Sequence, residues 1–542
     1  MRAARRRGPS RRGAAALVLA LLCAAAAPAA RATAASPHPL LASLAEEARA
    51  LQPWLSERYR ALHRIPERLF ALHKTSAYVR SQLDALGVRY AFPVAETGVV
   101  AEVGDGGAPV VLLRADMDAL PIEEETGLPH ASEHPGMMHA CGHDSHAAML
   151  LGVAKLLKAK SDAGLLPPGT VRLLFQPAEE GGGGAARAIE EDLEGRWNAP
   201  ASAAGGGEAP PASAAGGAGA SPGSAAGGGE TSPASAAGGS GSSPTSHPPA
   251  RRLLDGVAFA FAAHQSPSTP LGKVGVRAGL LLAGSGEVWL TVRGSGGHAA
   301  SPHEARDPLL AAAHVVVALQ GIVSRETDPF SSVVLSMTQI ESVGGSKEAT
   351  NVVPAAVRVG GTLRALGDAD MARVRRRVEE VARGVAGALR CEVDVDWMER
   401  EHPVYPPLFN APGPSALAAR VAAALFGPDA LLPEAAVRPS MGAEDFSFVA
   451  QRVPATMAGI GSYSAEAAGD RPRRVHAPDM VLDERVLAAG VAMHAGVAIE
   501  GLDSYGREEG GGARGEGAEG AVAEGAAAGG AATQDDPARD EL

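Results

Sequence analysis

The chain has 542 residues, of which 46% are hydrophobic, and it contains 3 cysteines. This length provides material for about two or three domains with large cores, whereas so few cysteines exclude a disulfide-stabilised scaffold. The chain carries 49 Lys and Arg against 61 Asp and Glu, a net charge of −12, which argues against a dedicated nucleic-acid surface because such a surface needs clustered cations.

Residues 1–32 are predicted to be a signal peptide. The segment begins with arginines and no acids, and the apolar run at 14–27 ends at Pro28. This run is shorter than the about 20 residues needed to span a bilayer, so no stable membrane anchor is expected. The sequence Ala-Arg-Ala at 30–32 offers a cleavage site. A plastid transit peptide is the alternative.

The next part of the chain, residues 40–271, has the pattern of an α/β domain. Residues 110–113 and 171–175 are short apolar runs typical of buried strands. Residues 146–157 are apolar over most of their length, as expected of a buried helix. We therefore expect a mainly parallel sheet with helices on both faces.

An insertion without core-forming residues interrupts this domain at 197–250. It repeats Pro-Ala-Ser-Ala-Ala-Gly-Gly and lacks periodic large apolar residues, so it is predicted to be a disordered linker. Because apolar runs resume directly after it, the insertion is expected to lie within one folded domain.

Residues 272–399 have the pattern of a smaller α+β satellite domain. Alternating strands are predicted at 287–292, 332–340 and 357–363, and helices at 307–319 and 372–389. The satellite domain is inserted into the catalytic domain, which is therefore discontinuous and resumes at 400–502.

The tail at 503–542 is rich in Gly, Ala and Glu and is predicted to be disordered. It ends in Arg-Asp-Glu-Leu, which differs in its first residue from the retention signal Lys-Asp-Glu-Leu. Such a signal acts only in the secretory pathway. The two ends together predict residence in the endoplasmic reticulum lumen and binding to a retention-signal receptor, with another secretory compartment or the plastid as alternatives.

Four clusters of metal-binding residue types follow predicted strands or begin a helix. They are MHACGHDSH at 138–146, QPAEEG at 176–181, AAH at 262–264 and VHAP at 475–478. In the first, a bend at Gly142 would aim both Cys141 and His143 at one ion. In the second, adjacent glutamates point in different directions, so one can bind metal while the other faces substrate. Together the clusters predict a metal site.

Nine motifs, in order along the chain, resemble the plant-type IAA-amino acid hydrolases, within the wider di-metal amidohydrolase family of aminoacylases and carboxypeptidases. They are HRIPE at 63–67, RADMDALP at 114–121, MHACGHD at 138–144, QPAEEG at 176–181, GGHAASPH at 296–303, NVVP at 351–354, GGTLR at 360–364, MGAEDF at 441–446 and VHAP at 475–478. The resemblance covers roughly residues 44–501 apart from the insertion.

The resemblance implies roles for specific residues. The ligands of two divalent metal ions would be Cys141, His143, Glu180, His264 and His476. Glu179 would be the general base, and His298 and Asn351 would reach the substrate across the cleft, with His298 stabilising the oxyanion. The satellite domain would correspond to the family's dimerisation domain, which suggests a homodimer. The spacing from Glu180 to His264 is far longer than in the family, so His264 is the least certain ligand.

Further polar residues are candidates to support the ligands. Asp116, Asp118, Asp144 and His146 could orient them from behind, with a helix N-cap as the alternative for Asp144. The resemblance favours manganese, whereas a thiolate ligand would suit zinc.

The expected reaction is hydrolysis of the amide bond of an N-acyl amino acid, in particular an indole-3-acetic acid conjugate. Arg364 or backbone N–H groups near Asn351 are candidates to bind the substrate carboxylate, although Arg364 could instead stabilise the satellite sheet. The alternatives are a broader N-acyl-amino-acid hydrolase or metallocarboxypeptidase, a non-catalytic lumenal binding protein, and a scaffold that acts through the insertion.

Overall fold

The computed structural model describes residues 37–198, 250–344 and 349–511, with side chains up to residue 507. The predicted signal peptide, nearly all of the predicted insertion and the Arg-Asp-Glu-Leu terminus lie outside the described residues.

Helices and strands alternate along the described chain. The helices are α1 (Leu41–Ala50), α2 (Gln52–His63), α3 (His73–Ala85), α4 (His143–Asp162), α5 (Gly184–Glu190), α6 (Pro308–Gly321), α7 (Asp368–Ala388), α8 (Pro412–Phe426), α9 (Ser447–Ala450), α10 (Ala465–Ala468) and α11 (Arg485–Gly511). The strands are β1 (Arg89–Val94), β2 (Gly98–Gly104), β3 (Val110–Asp116), β4 (Thr170–Gln176), β5 (Val257–Pro270), β6 (Val274–Gly275), β7 (Gly279–Leu282), β8 (Gly284–Arg293), β9 (Gly297–His298), β10 (Val333–Val343), β11 (Val352–Val353), β12 (Ala356–Ala365), β13 (Glu392–Asp396), β14 (Leu408–Asn410) and β15 (Ala455–Tyr463).

The large sheet is parallel at its centre and antiparallel at its edges. Its order is β1-β2-β4-β3-β5-β15-β6. The four central strands pair in parallel with one another: β4 with β3, β3 with β5, and β5 with β15. The outer strands pair antiparallel: β1 with β2, β2 with β4, and β6 with β15. The predicted strands at 110–113 and 171–175 lie within β3 and β4, so the α/β class is confirmed.

Both faces of the central strands are buried, which explains their continuous apolar runs. In β3, Val111 and Leu113 contribute to the core on one face, which α4 and α11 cover, while Leu112 contributes to the core on the other face. In β5, Phe259 and Ala260 divide between the two faces in the same way. This alternation is the side-chain period of a strand that has helices on either side.

The satellite domain has a separate antiparallel sheet of order β10-β12-β8-β13. Alternate residues of β8, among them Val288, Leu290 and Val292, are buried in one core with apolar residues of α6 and α7. The predicted alternation at 287–292 and both predicted helices are therefore present. The inserted α+β domain is confirmed.

Two boundaries differ from the predicted ones. Strand β6 still pairs with β15, so the chain leaves the large sheet after the predicted boundary at 272. Helix α11 continues to Gly511, past the predicted start of the tail at 503. Short strands and frayed helix ends carry little periodic signal, and for that reason such limits are poorly marked in a sequence.

Two described helices are long and apolar enough to cross a membrane by length and composition. In Arg485–Arg507, 89% of an apolar 18-residue window is buried, which is typical of the core helix of a folded domain. In Pro308–Glu326, 33% of such a window is buried, so this helix presents an apolar surface on the satellite domain.

Candidate metal centre

The predicted donors lie at one end of the large sheet. Strands β3 and β4 are parallel neighbours and end together at Asp116 and Gln176, and α4 starts near them. The glutamate pair follows β4 directly, while His264 projects from β5, the other parallel neighbour of β3. Ligand sites of α/β sheets gather at this carboxyl edge because loops from several strands converge there.

The five predicted metal ligands converge. Cys141 Sγ lies 3.3 Å from His264 Nε2, and Glu180 Oε1 lies 3.2 Å from His476 Nε2 and 4.0 Å from His143 Nε2. Two groups of donor atoms share the thiol, and each has all its atoms within 4.8 Å of one another: Cys141 with His143 and His264, and Cys141 with Glu180 and His476. Two overlapping donor groups suit two neighbouring cations.

The bend predicted at Gly142 is present. Gly142 precedes α4 with φ 88°, a left-handed conformation that glycine adopts without steric cost. A Cβ atom at this position would lie 2.6 Å from Gln265 Nε2, and this amide donates to the Cys141 carbonyl at 2.7 Å. The bend therefore brings Cys141 and His143 into one donor group, as predicted.

The orientations of the imidazoles fit a metal. His143 Nδ1 lies 2.9 Å from the Asp118 carbonyl, and His264 Nδ1 lies 2.5 Å from the Gln265 carbonyl. Since each Nδ1 donates to its carbonyl, Nε2 is the ring nitrogen left to bind a cation once it has lost its proton. Among the described residues, the buried His143 Nε2 has no hydrogen-bond partner. A bound cation would satisfy it.

The electrostatics favour the thiolate form of Cys141. Burial opposes a charged sulfur, but the imidazoles of His143 and His264 lower the pKa of Cys141 to about 6. Burial likewise opposes the imidazolium of His264, while Cys141 raises the pKa of that imidazole to about 9. Because ligands bind cations in their deprotonated forms, metal binding displaces protons from these imidazoles.

Three of the predicted supporting residues hold the site from behind. Asp118 accepts the backbone N–H groups of Glu179 and Glu180 at 3.0 and 3.1 Å. His146 Nδ1 lies 2.6 Å from Asp116 Oδ1, and its Nε2 accepts the Gln265 N–H at 2.9 Å. With both ring nitrogens engaged, His146 supports β5 rather than presenting a free lone pair.

Asp144 does not cap α4, so the alternative interpretation as an N-cap is wrong. The N-cap residue is Gly142, and the helix start has no side-chain cap hydrogen bond. Asp144 Oδ2 instead lies 2.6 Å from His63 Nδ1, and His63 Nε2 lies 3.3 Å from Glu124 Oε1. Burial disfavours the charged imidazole, but these two carboxylates raise the pKa of His63 to about 9.

Glu179 is buried beside the donors and surrounded by other carboxylates. One oxygen atom from each of Glu179, Glu444 and Asp445 lies within 4.8 Å of the others. Burial, followed by the charges of Glu444 and Glu180, raises the pKa of Glu179 well above its ordinary value. A carboxyl group with a raised pKa is suited to accept and return a proton.

The match to known proteins decides the family. A family model described as peptidase family M20/M25/M40 matches residues 112–500.

The chain belongs to this family.

Relatives of this M20 protein cover most of its length. It is 36% identical over 445 residues to IAA-amino acid hydrolase ILR1-like 4 of Arabidopsis thaliana, covering 82% of this chain and 85% of the relative. It is 32% identical to N-acetyl-L-cysteine deacetylase of Bacillus subtilis, covering 79% and 83%. The resemblance to IAA-amino acid hydrolases is therefore confirmed.

A solved structure supports the dinuclear centre. The Bacillus subtilis YXEP protein, described as a dinuclear metal binding peptidase from the M20 family, superposes with a TM-score of 0.59 at 26% identity, covering 84% of this chain and 99% of that one. Together with the two donor groups, this similarity supports two divalent metal ions. The M20 protein is a metal-dependent amidohydrolase.

The long spacing before His264 does not displace this residue in the M20 hydrolase. The insertion leaves and re-enters the fold at adjacent points, because Trp197 Nε1 donates to the Ala250 carbonyl at 3.0 Å. Strand β5 starts at Val257, a few residues after this contact. His264 Nε2 lies 3.3 Å from Cys141 Sγ, so the insertion leaves this residue beside the other predicted ligands, and its role as a ligand stays a prediction.

A cleft of about 1050 Å³ lies between the large sheet and the satellite sheet, and its lining includes Glu179 and four of the five predicted ligands: Cys141, Glu180, His264 and His476. Its wall combines apolar groups, among them Leu281, Leu282 and Met457, with the guanidinium groups of Arg364 and Arg473. A cleft with apolar walls and a few charged groups suits a small organic acid.

Two of the predicted substrate contacts lie outside this cleft. His298 and Asn351 are exposed on the satellite domain, where β9 pairs with β11, and neither lines the cleft. Within one chain the structure does not bring them to the cleft, and the expectation that they reach the substrate stays a prediction.

Arg114 is a buried cation at the site for which the sequence predicted no role. The guanidinium of Arg114 pairs with Asp116 at 2.6 Å and with Glu444 and Asp445 at 2.8 Å each. All four residues lie in the motifs at 114–121 and 441–446, and this was the one indication in the sequence that they belong to the site. Tyr405 contacts residues 179–183, here called the glutamate loop, and it lies in none of the nine motifs.

Proposed function

We propose that this M20 hydrolase cleaves the amide bond of N-acyl amino acids, in particular indole-3-acetic acid conjugates, into the free acid and the amino acid. The observation that carries the proposal is Glu179, a buried carboxyl group beside two donor groups at the wall of the cleft. The relative named IAA-amino acid hydrolase, similar over most of both chains, supports the choice of acyl group.

The roles of the residues follow from their positions. Cys141, His143, Glu180, His264 and His476 would hold the two cations. When bound, the cations supply Lewis acidity, which polarises the amide carbonyl and lowers the pKa of water. Glu179 accepts the proton of the attacking water and returns it to the departing nitrogen, because a single carboxyl group can serve the two steps in succession.

We propose manganese as the resident metal, with zinc as the alternative. The Glu180 carboxylate suits manganese, and so does the resemblance to the IAA-amino acid hydrolases, while the Cys141 thiolate and the imidazoles suit zinc. Metal analysis of the purified protein and reconstitution of the metal-free protein with each ion distinguish the two. Higher activity with zinc at equal occupancy would contradict manganese.

Hydrolysis of a substrate panel tests the reaction. We expect indole-3-acetyl and N-acetyl amino acids to be cleaved by the metal-loaded protein, activity to be lost with a chelator, and activity to return on adding Mn²⁺. Cleavage of N-acetyl but not indole-3-acetyl substrates would reject the indole-3-acetic acid conjugates as substrates and favour the alternative, a broader N-acyl-amino-acid hydrolase. Tight binding without turnover of any substrate would indicate a binding protein instead.

Arg364 is proposed to bind the substrate carboxylate. Its Nη1 donates to the Met441 carbonyl at 3.2 Å, and among the described residues it has no ion pair with an acid. We expect Arg364→Ala to raise KM by about 10- to 100-fold with a smaller change in kcat, because a charge-assisted hydrogen bond to the substrate is lost. The measurement is initial rates over a range of substrate concentrations.

The control for this variant lies on the same strand. Arg358 of β12 pairs with Glu341 at 3.3 Å and covers Trp289 outside the cleft. Arg358→Ala should leave KM unchanged. Equal KM values in Arg364→Ala and the wild type would mean that Arg364 serves the satellite sheet rather than the substrate.

A homodimer through the satellite domain is also proposed. Strand β10 is an edge strand with Ile340 and Val343 exposed, and α6 exposes Leu309, Leu310 and Val317. Pairing two such surfaces would cover an apolar patch that a monomer leaves in water. A mass near that of one chain in light scattering at micromolar concentration would contradict the dimer.

A further inference from the structure

The chain returns from the satellite domain through Tyr405, whose backbone stays paired with the start of that domain. Tyr405 N–H donates to the Ser285 carbonyl at 2.8 Å, and Ser285 N–H donates to the Tyr405 carbonyl at 3.0 Å. Ser285 is the second residue of β8, the strand that enters the satellite sheet. Tyr405 is therefore held at the junction of the two domains.

The side chain of Tyr405 points the other way, into the loop that carries the two glutamates. Its hydroxyl accepts the N–H groups of Gly181 at 3.1 Å and Gly183 at 2.9 Å, and it donates to the Glu179 carbonyl at 2.7 Å. The residue is buried, and its ring packs edge-on against Phe448 with centroids 5.7 Å apart. One hydroxyl thus satisfies three backbone groups of a single loop.

This loop needs such an anchor. Gly181 and Gly183 have φ of 102° and 65°, and a run of glycines has more conformational freedom than any other sequence. Asp118 holds the Glu179 and Glu180 N–H groups from the side of the large sheet. The Tyr405 hydroxyl holds the N–H groups of the glycines that follow.

We propose that Tyr405 is a positioning residue, whose hydroxyl fixes the glutamate loop so that Glu180 faces the metal donors and Glu179 faces the substrate. It also ties the loop to the first strand of the satellite domain. The part of this inference that concerns catalysis rests on the proposed function, whereas the part that concerns Glu180 and metal binding does not.

The test removes only the hydroxyl. In Tyr405→Phe the ring and the backbone pairing with Ser285 remain. We expect kcat to fall by about 10- to 100-fold, KM to change by less than about threefold, and the Kd for Mn²⁺ measured by calorimetry to rise by about 10-fold or more, as for other groups that orient ligands. A kcat and a Kd within twofold of the wild type would overturn the proposal.

Two further variants separate positioning from packing. Tyr463→Phe is the matched control, since its hydroxyl donates only to the Gly469 carbonyl at 3.2 Å and lies outside the cleft lining. Phe448→Leu loosens the ring packing of Tyr405 but keeps the hydroxyl. Both should keep the wild-type Kd for Mn²⁺. If Phe448→Leu reproduces the losses of Tyr405→Phe at the same fall in Tm, packing explains them and the proposal fails.

The metal measurement keeps this test independent of the substrate. If the wild type hydrolyses no N-acyl amino acid, the proposed function fails, and the change in Kd for Mn²⁺ still decides the role of Tyr405. If the wild type is active and Tyr405→Phe equals it in both kcat and Kd, only the positioning role fails.

Discussion

Replacement of Glu179 by glutamine is expected to lower kcat by about 10²- to 10⁴-fold, which is the usual contribution of a positioned acid or base. The amide has nearly the shape of the carboxyl group but cannot accept the proton of water. An oxygen atom of Glu179 lies within 4.8 Å of donor atoms of His143 and Glu180, but Glu179 belongs to neither of the two donor groups that share Cys141. Because all five predicted ligands remain in the variant, the bound metal content should stay near that of the wild type. The measurements are kcat on an N-acyl amino acid and elemental analysis of the purified variant.

The control is the same substitution at Glu190, which is exposed at the end of α5. Glu190→Gln should match the wild type. Full activity in Glu179→Gln would refute the assignment of the base, and loss of metal together with activity would show that Glu179 acts as a ligand instead.

Replacement of Arg114 by methionine is expected to lower the free energy of unfolding by about 3–5 kcal/mol, because it leaves buried carboxylates without their counter-charge. Arg114 is 2% exposed. Its partners are equally buried, with exposures of 0% for Asp116, 4% for Glu444 and 0% for Asp445. Urea unfolding of the two proteins measures the difference. Arg507→Met, which removes an exposed pair with Asp503, should cost at most about 1 kcal/mol.

The loss should depend on pH in a defined direction. Burial already raises the pKa of Asp445 to about 7, although Arg114 opposes that shift. Without Arg114 the folded-state pKa of this carboxyl rises further above its unfolded value, so the folded state favours the protonated form. The deficit of Arg114→Met should therefore be smaller at pH 5 than at pH 8. A deficit that grows towards acid pH would contradict this account of the cluster.

Elements with a strong local pattern could be predicted from the sequence. The apolar runs of β3 and β4 and the alternation in β8 each reflect how many faces of the strand are buried. The two residues of β6 and the end of α11 could not be located in this way. Their extent is set by pairing with β15 and by the final turns of a helix, and neither is a property of the local sequence.

In the candidate site, too, local features could be predicted from the sequence, whereas contacts between distant residues could not. The donors Cys141 and His143 share one short motif with a glycine bend, so their convergence could be expected from spacing. The contacts of Arg114 with Glu444 and of Tyr405 with Glu179 join positions more than two hundred residues apart, and no local spacing encodes them. Asp144 shows the opposite error, since a local rule suggested a helix cap where a distant histidine is the partner.

The hydrogen bond that joins Trp197 to Ala250 makes this position suitable for the insertion of a second folded domain. Since the two sides of the opening already touch, the energetic cost of a longer or shorter loop there is small and grows only with the logarithm of its length. A fluorescent or affinity module whose own termini are adjacent could be spliced between positions 198 and 250 without spreading the sheet. The opening lies outside the cleft lining, so such a chimera should still turn over substrate.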